Sequence, residues 1–435
     1  MVKLIFLGAL NSVGASGILV ETGGAGANNK RIVLDYGADV QEIPQTYPHD
    51  IKGRVDAIFL THSNLDHSGG VALLMKKNKC PIYALPINKP LVEILLNDSI
   101  KIAKHENVPI PFAKQDVHKA LRYFSSMEYK TPVHVGKVKA IAYDAGHIPG
   151  SMMAYLEFGE NKGDESKKEK FRNILYTGDF NTNRTRLLEP AEEDLPEIDV
   201  LITESTYANR DHSDREEEEK KLVRIVESTI ADGGIALISN FAIGRTQEIL
   251  LILNKYGIDY PLYMDGMAKK ATTAINNFPR FMREPTELDK ALRKVQYIDN
   301  ERHRKNAIKS PCAVLTTSGM LNGGPIVWYI GKLYNDRRNS LVLTGFQVEG
   351  SVGKTLLDTG RFVLDKDNLK LKMPVTRLDF SSHSGRKELF AFVEKVSPKK
   401  IFCVHGENTP QFAEELKGKG FDAVAPTEEK RVFDL

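Results

Sequence analysis

Five apolar runs in this chain stop abruptly at polar loops that carry histidine or an acidic residue. No other feature constrains the fold as much. Ala57–Thr61 runs into His62-Ser-Asn-Leu-Asp66-His67, followed by Gly69-Gly70. Val138–Tyr143 leads to Asp144-Ala-Gly-His147, and Asn173–Thr177 to Gly178-Asp179. Asp199–Thr203 leads to Glu204, and Lys400–Val404 to His405-Gly-Glu407. Strands that end in polar loops are where layered α/β folds place their chemistry. From Ile235 the pattern alternates: strand Ile235–Ser239, helix Arg245–Tyr256, strand Pro261–Met264, then strands Ala313–Thr316 and Leu341–Thr344, and the tail returns to a strand (Val375–Phe380), a helix (Arg386–Val396) and the strand Lys400–Val404. Such alternation predicts a parallel, doubly wound sheet with right-handed crossovers.

The chain has 435 residues, 41% of them apolar and 27% charged, so a packed core is within reach and wholesale disorder is excluded. No apolar run approaches the roughly 18 residues of a membrane helix, and the start MVKLIFLGAL lacks the pattern of a signal peptide. Cys80, Cys312 and Cys403 lie far apart and form no CxxC pair, so a reducing cytoplasm is expected. The net charge of +3 does not announce a nucleic-acid binder. Residues 267–310 do concentrate 11 Lys or Arg against 5 Asp or Glu, which suits either a solvated helical face or a phosphate-tracking surface. KGDESKKEK at 162–170 reads as a charged, solvated insertion. Ser213-Asp-Arg-Glu216 reads as a capping box opening a long helix that Asp232-Gly-Gly234 ends.

Two imidazoles and a carboxylate within the six residues His62–His67 suit a divalent metal. His147, Asp179 and His405, each taken alone, are as well explained as turn residues or caps. Together they supply metal donors on separate strand-ending loops, as a binuclear hydrolytic site requires, with an aspartate available to bridge two cations.

The strings HSNLDHSGG, AGHIPG, YTGDF and VHGE resemble the signature motifs of the metallo-β-lactamase superfamily. Thr203–Tyr207, FAIGRTQE (Phe241–Glu248), TSGML (Thr317–Leu321), TGFQVEG (Thr344–Gly350) and FSSHSG (Phe380–Gly385) resemble those of its β-CASP nucleases. The resemblance spans nearly the whole chain and is nearest to the endonuclease subunit of the cleavage and polyadenylation specificity factor and its bacterial and archaeal relatives. It implies an αββα sandwich over 1–207 and 371–435, with an inserted β-CASP α/β domain over 208–370. It also implies a zinc-dependent ribonuclease acting on single-stranded RNA through metal-activated hydroxide, cytoplasmic, without a membrane partner, and able to form a homodimer.

Carried over by residue, one Zn(2+) takes His62 and His147, the other Asp66, His67 and His405, and Asp179 bridges. Glu204 orients His383, the proton donor to the leaving oxygen; Asp66 and Asp179 complete the catalytic set. Asn64 stands where the family has a histidine. An amide oxygen is a weaker ligand, so the His62/His147 site is expected to bind metal less tightly. Arg245, Ser318 and Gly319 are the candidate substrate-binding residues, with a surface arginine and local turn glycines as the plain alternatives. Tyr207 and Phe346 suit either base stacking or the core. A non-catalytic RNA-binding β-CASP subunit and a 5′-to-3′ exonuclease of the RNase J type remain as alternative readings.

Overall fold

A computed structural model describes residues 2–23, 29–159, 171–364 and 367–435. The charged insertion at 162–170 lies outside them. The chain forms two compact units. The first comprises Met1–Arg184, Pro190–Asp211 and His383–Leu435; the second comprises Thr185–Glu189 and His212–Ser382.

The first unit is an αββα sandwich. Among the described residues one sheet has seven strands, in the order Val432–Asp434, Val2–Gly8, Gly17–Thr22, Lys30–Tyr36, Ala57–Phe59, Ile82–Ala84 and Phe124–Ser126. The other runs Ala423–Val424, Lys400–Val404, Val200–Glu204, Asn173–Tyr176, Met152–Phe158, Val138–Asp144 and Val133–Val135. Each is antiparallel on one side and parallel on the other. The two-residue period of a strand explains the layering. Leu7, Leu19 and Val33 pack with Val71, Leu74, Val92, Leu96 and Val117 of the covering helices. Neighbouring Phe6 turns the other way and meets Phe402 of the second sheet, ring centroids 5.1 Å apart. On the far side Leu201, Ile401 and Cys403 pack with Phe392, Phe412 and Leu416.

The second unit carries a parallel sheet of six strands among the described residues: Val295–Tyr297, Leu262–Met264, Cys312–Thr316, Ile235–Ser239, Ser340–Leu343 and Val375–Arg377. All its pairings are parallel. Every residue of Ile235–Ser239 is buried, as a parallel strand covered on both faces requires.

Two local expectations change. The strand expected over Val375–Phe380 stops at Arg377 and pairs with Ser340–Leu343, inside the second unit's sheet. The long helix, Arg215–Ala231, is capped by Asp214, whose side chain accepts from the Glu217 N–H at 2.9 Å, not by Ser213. Aspartate and serine compete equally well for this position, and the helix starts one residue later. Thr185–Glu189 also joins the second unit. Glu248 accepts the N–H groups of Arg186 (3.0 Å) and Leu187 (2.7 Å), and the Arg186 guanidinium grips Glu219 with two bonds of 2.9 Å.

Candidate metal centre

The five polar loops are brought together by strand register. In one sheet Leu34 pairs in parallel with Phe59, so Asp35 and the Thr61-His62 segment leave side by side. In the other, Tyr176 pairs with Ile202 and Glu204 with Val404, which puts Asp179, Glu204 and His405 at one edge. The tight turn into Asp179 needs Gly178, which has φ 52°; a Cβ there would come within 2.8 Å of the Thr61 side chain. His405 itself adopts left-handed backbone (φ 50°), a strained conformation held by its N–H bond to Ala9 O at 2.8 Å.

Asp179 is the hub. Its Oδ2 lies 3.5 Å from His62 Nε2 and 3.6 Å from His147 Nε2. Its Oδ1 lies 3.2 Å from His67 Nε2 and 3.4 Å from His405 Nε2. Asp66 Oδ2 is 3.6 Å from His405 Nε2 and 3.9 Å from His67 Nε2. Two donor groups result, Asp66–His67–Asp179–His405 and His62–His147–Asp179, each with its ligand atoms within 4.8 Å of one another.

The residues fit a pair of divalent cations. His62 Nε2, His67 Nε2 and Asp179 Oδ1 are buried without a hydrogen-bond partner. Orphaned buried polar atoms are costly, and imidazole nitrogens with carboxylate oxygens are the donors such cations take. The opposite ring nitrogens are occupied. His67 Nδ1 bonds Asp35 Oδ2 at 2.7 Å, and His405 Nδ1 bonds Ser16 Oγ at 2.9 Å. Thr61 Oγ1 donates to Asp35 Oδ2 (2.7 Å) and lies 3.1 Å from His62 Nδ1, from which it can then accept. Such partners fix the tautomer and aim Nε2 inward. None of these three supports was singled out in the sequence. Asp35 does share the signal of an acidic residue closing an apolar strand; Ser16 has none.

Opposing charges balance one another across this donor set. Burial disfavours charge on His67, yet Asp179, Asp35 and Asp66 outweigh it and hold its pKa well above the usual range. Burial pushes the Asp179 carboxyl up, but His67, His405 and His383 hold it well below. His405 is lowered, by burial first and by its neighbour His67. Asn64 sits at the start of the short helix Leu65–Ser68, its side-chain nitrogen 3.3 Å from His147 Nε2. The amide therefore borders the His62/His147 group.

Beside Asp179 stands a further pair. His383 Nδ1 lies 3.0 Å from Glu204 Oε1. Glu204 is buried and anchored by the N–H groups of Phe180 (3.1 Å, to Oε1) and Thr206 (3.2 Å, to Oε2). Ser384 clamps the His383 loop: its N–H donates to Phe180 O at 2.8 Å, and its Oγ accepts from Thr182 N–H at 3.2 Å. Burial disfavours the imidazolium, but Glu204 foremost, then Asp179, push the His383 pKa up to about 9. Its ring lies 4.6 Å from that of His147. Tyr207, 5.7 Å from the same ring, is buried.

Arg245, Ser318 and Gly319 lie in the second unit. Arg245 is buried, not a surface arginine; it donates to Thr344 O and, at 3.3 Å, to Ser382 Oγ. Ser318 O accepts from Ser239 Oγ at 2.7 Å and Gly319 O from Gln347 Nε2 at 3.0 Å. In the basic stretch several cations are already paired, Lys269 with Asp299, Lys290 with Glu287 and Arg304 with Asp265.

An αββα sandwich with this donor set at one edge defines a metallo-hydrolase of the metallo-β-lactamase type. Residues 26–203 match the metallo-β-lactamase superfamily domain, 246–356 the Beta-Casp domain, and 368–426 the Zn-dependent metallo-hydrolase RNA specificity domain. The chain belongs to the β-CASP family within that superfamily, and its relatives include archaeal CPSF-like RNases. It is 37% identical to "Probable RNase MJ4" of Methanocaldococcus jannaschii, over 98% of both chains. It is 31% identical to "RNase aCSPSF2" of Saccharolobus solfataricus, over 97% of this chain and 83% of that one. It is also 31% identical to "Transcription termination factor FttA" of Methanocaldococcus jannaschii, over 94% of this chain and 67% of that one. A crystal structure of a protein of unknown function from Enterococcus faecalis V583 aligns with a TM-score of 0.59 at 13% identity, over the full length of both chains; it bears on fold alone.

Proposed function

We propose that the chain is a zinc-dependent endoribonuclease that hydrolyses phosphodiester bonds of single-stranded RNA. The observation that carries the reading is the Asp179 carboxylate, whose two oxygens each face a separate histidine set, with the His383–Glu204 pair beside it. Asp66, His67 and His405 would hold one cation, His62 and His147 the other, and Asp179 both. When bound, the cations supply Lewis acidity, acidifying a water and neutralising charge on the phosphate.

The rest is the chain's own work. Glu204 keeps His383 Nδ1–H engaged, so the proton available for the departing oxygen sits on Nε2. Glu204 raises the His383 pKa against the burial penalty, which favours a proton on the ring at neutral pH. Asp35, Ser16 and Thr61 keep three ligand rings from rotating. A cytoplasmic location goes with this reading. Among the described residues no helix is long and apolar enough to cross a membrane, and all three cysteines are buried and free.

Asn64 favours a second reading, a non-catalytic RNA-binding subunit, because a neutral amide borders the His62/His147 group. One experiment separates the two. Labelled single-stranded RNA, with 5′-phosphate or 5′-hydroxyl ends, is incubated with the zinc-loaded chain, with His383→Ala and with Asn64→His. We expect internal cleavage indifferent to the 5′ end. We expect turnover in His383→Ala to be down roughly 10²–10⁴-fold at unchanged metal content. Asn64→His should raise metal stoichiometry and turnover together. RNA binding without cleavage in both the chain and Asn64→His would establish the subunit reading instead.

A further inference from the structure

We infer that Phe241 is a stacking platform for a base of the RNA strand. The inference rests on the reading that single-stranded RNA is the substrate. Phe241 follows the strand Ile235–Ser239, a central strand of the parallel sheet, and is 39% exposed. One exposed phenylalanine means little. The way this one is held means more.

Its backbone is pinned. The carbonyl accepts from Thr246 N–H at 3.2 Å and Thr246 Oγ1 at 2.7 Å. Its ring lies across two glycines from two other loops. A Cβ on Gly319 would stand 3.2 Å from three ring carbons, and one on Gly345 3.1 Å from a fourth. Gly319 follows the strand Cys312–Thr316 and Gly345 follows Ser340–Leu343, the two strands flanking Ile235–Ser239. Three loops at the carboxyl edge of one parallel sheet therefore build a single feature, an aromatic ring backed by bare main chain. Carboxyl edges of such sheets are where ligands bind.

A ring seated this way has little rotational freedom left to lose on binding, and over a third of the residue stays open. The partner that fits is flat, apolar on its face and tolerant of identity, as every nucleobase is. The site needs no charge of its own, since stacking draws on the ring face rather than on a donor.

The test measures equilibrium binding of short oligoribonucleotides in the presence of a chelator, with intact bases or with abasic positions throughout. Phe241→Ala should weaken binding of intact RNA about ten- to a hundred-fold. Phe241→Trp should restore it, and Phe241→Leu, which keeps apolar bulk without a π face, should not. On abasic RNA all four proteins should bind alike. Restoration by Phe241→Leu, or an equal penalty on abasic RNA, would reduce the residue to packing. Equal binding of intact RNA by Phe241→Ala and the unaltered chain would remove the role outright, while cleavage by the unaltered chain would leave the ribonuclease reading standing. An unaltered chain that neither binds nor cleaves RNA would end both.

Discussion

At the scale of single residues, the candidate centre gives its side chains partners that hold them in place. His383 is reached by Glu204, His67 by Asp35 and His405 by Ser16, the last two through the nitrogen facing away from Asp179. Not every buried acid is so well compensated. Asp144 closes the strand Val138–Asp144, and burial pushes its carboxyl up to about 6 despite a bond from the Gly146 N–H. The folded value lies above the unfolded one, so the fold favours the protonated acid. Its stabilising contribution is complete below the unfolded pKa, near 3.8, and is lost as pH rises through about 6. Asp144→Asn should match the unaltered chain in stability at pH 4 and exceed it by on the order of 2–3 kcal/mol at pH 8. Denaturant unfolding across that range reads the difference; a pH-independent offset would show that Asp144 is solvated.

At the scale of elements, buried carboxylates hold segments that strand and helix patterns do not. Glu248, on the helix Arg245–Tyr256, satisfies Arg186 N–H, Leu187 N–H and, at 2.7 Å, the Arg215 guanidinium. Glu248→Ala strands those donors in a buried position, and should cost about 3–5 kcal/mol. Glu248→Gln, which keeps an acceptor, should cost less. A midpoint for Glu248→Ala equal to that of the unaltered chain would mean that water replaces the carboxylate. These contacts explain where element-level reading succeeds and fails. Ile235–Ser239, Arg245–Tyr256, Arg386–Val396 and Lys400–Val404 stand where their sequence places them, because strands buried on both faces and amphipathic helices carry an unbroken signal. Ile82–Ala84, Phe124–Ser126 and Val133–Val135 have three residues each, too few for a period of two to register. The docking of Thr185–Glu189 is invisible in sequence, since its partner carboxylates belong to two distant helices.

At the scale of the whole chain, the candidate metal donors run from His62 to His405, so cations held there would tie together loops that the unfolded polypeptide separates. Metal binding should therefore stabilise the first unit, by about 2.7 kcal/mol at a free-metal concentration a hundred times the dissociation constant. Thermal melts with and without chelator check this; coincident curves would exclude a stabilising cation. The residues of the two candidate donor groups stand out in the sequence: His62, Asp66, His67, His147, Asp179 and His405 each follow an apolar run, and the motifs come in family order. Residue types and strand-ending positions are local properties, written in composition and periodicity. Which oxygen of Asp179 faces which histidine, that Ser16 supports His405 across 389 residues of chain, that Arg245 is buried, and that Phe241 rests on two glycines are not local. Parallel register and sheet packing decide them, because only they determine which strand ends share an edge.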